Sequence, residues 1–199
     1  MFKIFFMRTL PFVFLLFLIS SCSQPSYKYP HVIIESEYGD IEVELYADKA
    51  PQTVAAFLAN IDEGHFKNAS FYRVIKNDNV PEEYNTGLIQ GGIYQTQPDN
   101  IAKQKKVPHE SPRQTGLSHS SGTISMARTT PGSATSEFFI CIGDQRQFDS
   151  SSRGSADGLG YAAFGKVFKG MDVVGKIQNK KNDGEDFVTP IIIKSIKRL

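Results

Sequence analysis

The sequence lacks several features that would indicate particular classes of protein. It has no tryptophan, only two cysteines, and nearly equal numbers of basic and acidic residues, 22 Lys and Arg against 21 Asp and Glu. Nucleic-acid-binding proteins usually carry a strongly basic face, so we expect no nucleic-acid partner. Long low-complexity runs are also missing, and 199 residues with 40% hydrophobic content are typical of one folded domain with a short appendage.

The two cysteines, Cys22 and Cys141, do not indicate a disulfide framework. Cys141 lies within the apolar stretch F-F-I-C-I, which favours a small buried side chain over a reactive thiol, because reactive thiols need accessible, electropositive surroundings. Cys22 ends the apolar N-terminal segment, and lipidation of this cysteine would leave no thiol to form a disulfide with Cys141.

The N-terminal segment has the pattern of an export signal. Lys3 and Arg8 precede the apolar run T-L-P-F-V-F-L-L-F-L-I-S, which is shorter than the stretch of about 20 apolar residues that a membrane-spanning helix needs. The small residues before Cys22 resemble the bacterial lipobox, in which the cysteine is lipidated and becomes the new N-terminus. An ordinary cleaved signal peptide that happens to contain a cysteine is the alternative.

These features predict the organisation of the chain. We expect a lipoprotein signal peptide at residues 1–21, a lipidated Cys22 with a polar tether at residues 22–30, and one domain at residues 31–199. The lipid would hold the protein on a bacterial membrane in the cell envelope, with the domain facing the periplasm or the cell surface.

From residue 31 onwards the apolar pattern is mostly that of β-strands. V-I-I-E-S-E and I-E-V-E-L-Y lie on either side of Gly39, which predicts a hairpin with a tight turn. Pro51 and Gly64 bound a helical pattern, and M-D-V-V-G-K-I predicts a second short helix. The remaining apolar runs predict short strands, as in an all-β barrel or sandwich: F-Y-R-V-I, L-I-Q-G-G, T-I-S-M-A, F-F-I-C-I, A-A-F-G-K-V-F and P-I-I-I-K-S-I-K-R-L.

The order and the amino-acid sequences of these segments resemble those of the cyclophilin-type peptidyl-prolyl isomerases, particularly of their bacterial branch. F-Y-R-V-I, I-Q-G-G, G-T-I-S-M-A-R, S-E-F-F-I-C-I and A-A-F-G-K-V occur in the family's order across residues 31–199. The resemblance implies a mainly β fold, a closed eight-stranded antiparallel β-barrel capped by two α-helices. It also implies an active site on the outer face of the barrel.

The resemblance gives a role to Arg73, a charged residue within the apolar run F-Y-R-V-I. It implies that Arg73 donates to the proline nitrogen, that Gln90 binds a substrate carbonyl and that Phe139 forms the wall of the proline slot. No cofactor or metal is required. The resemblance also implies a substrate-binding groove built from further residues: Leu88, Ala127, Arg128, Glu137, Phe148 and Tyr161.

Several groove positions depart from the pattern of the best-studied members. Gln147 aligns where the family often has tryptophan, and Gly87 aligns where phenylalanine is common. Tyr161 replaces a histidine, while Arg128 and Glu137 replace amides. These changes put affinity, substrate preference and drug binding in doubt more than the type of reaction.

Other motifs have weaker interpretations. G-L-G-Y-A-A fits a dinucleotide-binding pattern, but a polar loop precedes it and no helix follows. Ser118, His119 and Ser120 are adjacent in sequence, which rarely presents a nucleophile to its base, so we expect a loop. The segment N-K-K-N-D-G-E-D is rich in possible calcium ligands, but Lys181 occupies a position where a calcium loop needs an oxygen ligand, so we expect solvated surface there. The four histidines lack paired metal-ligand spacing, and we expect solvated surface positions for them: His31, His65, His109 and His119.

The sequence therefore predicts a monomeric peptidyl-prolyl cis-trans isomerase that acts on X-Pro bonds of unfolded or extended polypeptides and assists protein folding. Two alternatives remain open at this stage. A proline-peptide-binding chaperone would keep the groove with little turnover, and a structural lipoprotein would use the barrel only as a scaffold.

Overall fold

The computed structural model describes residues 27–77 and 79–199. The signal peptide, Cys22 and the first part of the predicted tether lie outside the described residues. Within these ranges, no helix is long and apolar enough to cross a membrane.

The described residues form nine strands and four α-helices. They are β1 (His31–Ser36), β2 (Gly39–Leu45), α1 (Pro51–Asp62), β3 (Ser70–Ile75), β4 (Gly87–Gly92), α2 (Pro98–Ile101), α3 (Pro112–Thr115), β5 (Thr123–Met126), β6 (Phe138–Ile142), β7 (Ala162–Lys169), α4 (Met171–Gln178), β8 (Asn182–Asp183) and β9 (Asp186–Arg198).

Eight of the strands close into an antiparallel barrel in the order β1-β2-β7-β5-β6-β4-β3-β9, and β9 pairs with β1. The two-residue β8 pairs only with the start of β9. Closure leaves these eight strands without an unpaired edge. The predicted mainly β, eight-stranded barrel is confirmed, and two single-turn helices, α2 and α3, accompany the two longer ones.

Alternation of side chains in the strands separates two apolar clusters. In β6, Phe138 points into the barrel and is fully buried, and it packs there with Phe57, Phe71 and Phe164. Its neighbour Phe139 belongs to a separate outer cluster. A single strand therefore supplies both the core and the outer face, because successive side chains in a strand point to opposite sides of the sheet.

The helix α1 is capped by a residue distant in sequence. Ala50 precedes it and makes no side-chain cap. Instead the Glu110 carboxylate accepts hydrogen bonds from Thr53 N at 2.7 Å and Gln52 N at 3.2 Å. This carboxylate satisfies backbone donors of the first helical turn and complements the helix dipole.

The histidine prediction is wrong for two residues. His31 is 2% exposed, and its Nδ1 lies 2.8 Å from Glu42 Oε1. Tyr27 stacks on the His31 ring at 3.7 Å between centroids, so the last residues of the predicted tether pack on the barrel. His119 is fully buried. Each buried imidazole lies next to a carboxylate, which replaces hydrogen bonds to water that burial removes. The periodicity of the sequence does not reveal these partners.

Candidate active site on the outer face of the barrel

The strand register brings three predicted residues into one row. Arg73 of β3 pairs with Gln90 of β4, and Gln90 pairs with Phe139 of β6. A register shift between Phe71 and Arg73 leaves Tyr72 as an extra residue in β3. Such a bulge redirects side chains, and here both Tyr72 and Arg73 reach the side chain of Gln90.

Arg73 lies between two hydrogen-bond partners. Its Nη1 donates to Gln90 Oε1 at 3.0 Å, and its Nε donates to Glu185 Oε2 at 2.8 Å. Nη2 also donates to Glu185. These two partners hold the guanidinium in place. Because the Arg73 side chain is 37% exposed, part of its donor surface still faces the solvent-accessible groove.

The hydrogen bonds continue beyond Gln90. Gln90 Nε2 donates to Tyr72 Oη at 2.7 Å, and Tyr72 donates to Glu137 Oε2 at 2.7 Å. Burial, reinforced by Glu137, raises the pKa of Tyr72 far above its usual range, so the phenol keeps its proton. Burial also raises the pKa of Glu137, although hydrogen bonds, first among them that from Tyr72, act in the opposite direction.

Phe139 forms an apolar floor beside this polar chain. It is 3% exposed, like Leu88, with which it forms the outer cluster. The rings of Phe148 and Tyr161 contact it edge-on, each with 5.5 Å between centroids. A flat apolar ring can pack against a proline side chain here and exclude water from it.

The ring of His119 stacks on the ring of Phe139, and His119 itself does not line the groove. The two rings are nearly parallel, with 5.8 Å between centroids and 13° between planes. His119 Nδ1 lies 2.7 Å from Asp149 Oδ1, and Nε2 lies 3.0 Å from Ser125 Oγ. Burial lowers the pKa of His119 despite Asp149, which indicates a neutral ring that donates to Asp149 and accepts from Ser125.

Arg128 is committed to the loop that borders the groove. Its side chain is 3% exposed, Nη1 donates to Asp157 Oδ2 at 2.7 Å, and Nε donates to Gly160 O at 3.2 Å. The guanidinium also lies 5.1 Å from the centre of the Tyr161 ring. Hydrogen bonds from Arg128 hold the pKa of Asp157 well below its usual range. The Arg128 side chain thus fixes the loop that carries Tyr161.

The structure brings all nine predicted groove residues together around one cavity of about 680 Å³. Gln147 is exposed and does not line it; its Nε2 donates to Gln145 Oε1 at 2.6 Å. Sequence reasoning missed the groove residues Tyr72, Tyr94 and Asp186, as well as the partners Glu185 and His119. Tyr72 had a sequence signal, since it is adjacent to Arg73, whereas His119 was expected to be a solvated loop residue.

Comparisons with known proteins agree with this architecture. The family model described as cyclophilin type peptidyl-prolyl cis-trans isomerase/CLD matches residues 31–198. A peptidyl-prolyl cis-trans isomerase of Acinetobacter baylyi is 40% identical over 149 residues, which cover 74% of this chain and 71% of that protein. Peptidyl-prolyl cis-trans isomerase B of Escherichia coli is also 40% identical, over 74% of this chain and 83% of that protein.

Solved structures show the same fold. The crystal structure of a cyclophilin type peptidyl-prolyl cis-trans isomerase of Cryptosporidium parvum superimposes with a TM-score of 0.67 and 26% sequence identity. The match covers 86% of this chain and 98% of that one.

Proposed function

The chain belongs to the cyclophilin-type peptidyl-prolyl cis-trans isomerases, and we propose that it isomerises X-Pro bonds in the outer groove with Arg73, Gln90 and Phe139 as its catalytic residues. The observation that carries this assignment of residues is their common row across β3, β4 and β6. A guanidinium, an amide and an apolar ring are thereby placed side by side on one face.

The chemistry of the reaction explains the need for a guanidinium. Rotation about an X-Pro bond is slow because the amide has partial double-bond character, with a barrier of about 18–20 kcal/mol. Conjugation is lost at the twisted transition state, so the lone pair of the proline nitrogen becomes localised and can accept a hydrogen bond. The guanidinium of Arg73 has several N–H donors and no acceptor, and we expect it to donate to this nitrogen more strongly in the transition state than in the ground state.

Gln90 and Phe139 position the substrate for that contact. The Gln90 NH2 group uses one hydrogen for Tyr72, and its second hydrogen is available for a substrate carbonyl. Phe139 packs against the proline ring and keeps it fixed while the preceding carbonyl rotates. Leu88, Phe148 and Tyr161 complete the apolar surface.

Arg73 does not supply the whole acceleration. A ten-thousand-fold rate increase needs about 5.4 kcal/mol off the barrier, whereas one hydrogen bond to a charged group contributes about 1.5–3 kcal/mol. The remainder comes from orientation of the proline by the floor and from exclusion of water around it. The arginine and the floor therefore act together.

A protease-coupled assay with a short X-Pro peptide tests the function directly. We expect the purified domain to accelerate the cis-to-trans step in proportion to its concentration. Suppression of client aggregation without any such acceleration would instead identify a binding protein.

We propose that the clients are unfolded or extended proline-containing polypeptides in a bacterial cell envelope, and that the enzyme works as a lipid-anchored monomer. Support comes from the pattern of residues 1–21 and from the small residues before Cys22. Bacterial lipoproteins carry several acyl chains, and each buried methylene adds about 0.8 kcal/mol of membrane affinity.

Mass spectrometry of the mature N-terminus tests the anchor. We expect a lipidated peptide that begins at Cys22, and its loss in Cys22→Ser. An unmodified first peptide, or one that begins elsewhere, contradicts lipidation at Cys22.

A further inference from the structure

A continuous chain of hydrogen bonds connects Arg73 to a carboxylate on the other side of Gln90. The three links are Arg73 Nη1 to Gln90 Oε1 at 3.0 Å, Gln90 Nε2 to Tyr72 Oη at 2.7 Å, and Tyr72 Oη to Glu137 Oε2 at 2.7 Å. Each member donates to the next, so the chain has a direction that runs from the arginine to the carboxylate.

The two ends determine this direction. Arg73 can only donate, so the atom of Gln90 that faces it must be the amide oxygen. The NH2 group of Gln90 then faces Tyr72, whose oxygen accepts that hydrogen and whose own hydrogen needs an acceptor. An ionised carboxylate can only accept, and Glu137 supplies that acceptor.

The surroundings of Glu137 also require it to accept. Its Oε1 receives hydrogen bonds from Ile93 N at 2.8 Å and from Ser136 Oγ at 3.1 Å. A Cβ on Gly92 would lie 2.3 Å from the same oxygen, so the glycine lets the carboxylate lie against the backbone. Both oxygens are thus surrounded by donors, as an ionised carboxylate needs.

From this geometry we propose that Glu137 is a positioning residue for isomerisation: its ionised carboxylate fixes the direction of the chain and holds the Gln90 amide oxygen against Arg73. The inference rests on the proposed role of Arg73 and Gln90 in the reaction. Glu137 acts on the substrate only through these two side chains.

An amide at position 137 breaks the chain by one hydrogen. In Glu137→Gln, the amide oxygen must still accept from Ile93 N, so its NH2 faces Tyr72. The Tyr72 oxygen then faces two NH2 groups, and its own hydrogen has no acceptor in the chain. If the Gln90 amide rotates to accept that hydrogen, its NH2 group points at the N–H groups of Arg73, and the two donors face each other without an acceptor.

Other groups on the groove also titrate or carry charge, and the test must separate them from Glu137. Arg73 keeps its charge, and the raised pKa of Tyr72 keeps that phenol neutral. The other titratable or charged groups near the groove are Glu185, Asp186 and Asp157 at its edge, Arg128, which is bonded to Asp157, His119 beneath Phe139, and Tyr94 beside Tyr72.

The experiment measures kcat/KM by NMR exchange on an X-Pro peptide, which avoids a pH-sensitive coupling protease. We expect wild-type kcat/KM to fall as the pH falls through the raised pKa of Glu137. Glu137→Gln should be slower by about tenfold or more at neutral pH, on the scale of a lost charged hydrogen bond, and should lack this acid limb. Glu185→Gln should keep the acid limb.

A double-mutant cycle and a spectroscopic signal add independent readouts. Tyr72→Phe should cost little further in the Glu137→Gln background, because both changes interrupt one chain. The side-chain NH2 signals of Gln90 should shift with the titration of Glu137 and lose that shift in Glu137→Gln. Glu110→Gln is the matched control, because Glu110 is a buried carboxylate that caps α1 and does not line the groove; it should keep the wild-type acid limb.

The outcomes distinguish a failure of the proposed role of Arg73 from a failure of the proposed role of Glu137. If Arg73→Ala retains wild-type turnover in this assay, the proposed role of the arginine is wrong. If Arg73→Ala is slow but Glu137→Gln keeps the wild-type rate, acid limb and Gln90 signals, the positioning role of Glu137 is overturned.

Discussion

Arg73 donates its Nε hydrogen to Glu185 over 2.8 Å, although 112 residues separate them in sequence. The carboxylate comes from the hairpin of β8 and β9, which is fixed to β3 by a backbone bond from Val74 N to Glu185 O at 2.7 Å. The Glu185 side chain is 57% exposed. A negative charge therefore lies next to the proposed catalytic donor and weakens the field that the guanidinium exerts on the proline nitrogen.

Glu185→Gln should raise kcat/KM. Exposed ion pairs are worth about 0–1 kcal/mol, so the gain should not exceed about fivefold and should shrink at high salt. The measurement is isomerase activity against ionic strength, with Asp183→Asn in the same hairpin as the control. A loss of activity in Glu185→Gln would show that the charge of this carboxylate, and not only its hydrogen bonds, is needed to position Arg73.

Phe139→Ala should weaken both peptide binding and turnover. Removing a buried phenylalanine costs about 3–5 kcal/mol of stability where the site cannot collapse, and here the ring lies between His119 and the groove. Urea unfolding and a peptide titration measure the two effects separately. Phe139→Leu serves as the control, since it keeps much of the volume without the flat ring. Unchanged peptide affinity in the alanine variant would mean that the groove is misplaced.

The buried His119 should make stability depend on pH. Burial lowers its folded-state pKa, whereas in the unfolded chain a histidine titrates near about 6.5. The unfolded state then binds the proton more readily, so the free energy of unfolding should decrease as the pH falls below about 6.5. Each unit of lowering corresponds to about 1.4 kcal/mol.

The measurement is urea unfolding from neutral to mildly acidic pH for wild type and His119→Asn, whose amide can still donate to Asp149. The difference between the two proteins isolates His119 from the carboxylates. Parallel pH curves for the two proteins would rule out a neutral, buried imidazole.

Cyclosporin should inhibit this enzyme only weakly. By resemblance, sensitive relatives have a tryptophan that donates to the drug where this chain has the exposed Gln147. Loss of such an aromatic anchor typically costs about 2–4 kcal/mol, which corresponds to tens-fold to nearly a thousandfold in affinity. A drug titration of wild type beside Gln147→Trp checks this, with a gain of sensitivity expected in the variant. Nanomolar inhibition of the wild type would contradict the role given to position 147.

The strand pattern predicted a barrel or a sandwich, and the resemblance carried by the short motifs then implied the closed barrel and the site residues Arg73, Gln90 and Phe139. The contacts that these residues make were not predictable. Glu185 and Glu137 reach Arg73 and Tyr72 across 112 and 65 residues, and only the strand order brings them close. The burial of His119 depends on Asp149, which lies on a loop that has no periodic pattern to predict its path.

The role of Arg73 is the central claim, and substitution of this residue tests it most directly. Arg73→Ala should keep the circular dichroism and unfolding midpoint close to wild type, because the side chain lies outside the barrel core. Arg198→Ala is the matched control, since Arg198 is also a strand arginine, and it donates to Asp62 at 2.8 Å away from the groove.

The measurement is kcat/KM on one X-Pro peptide for wild type, Arg73→Ala and Arg198→Ala. Loss of a preorganised transition-state donor typically lowers the rate by about a hundredfold or more, so we expect that loss in Arg73→Ala and a wild-type rate in Arg198→Ala. A folded Arg73→Ala protein with near-wild-type kcat/KM would contradict the mechanism.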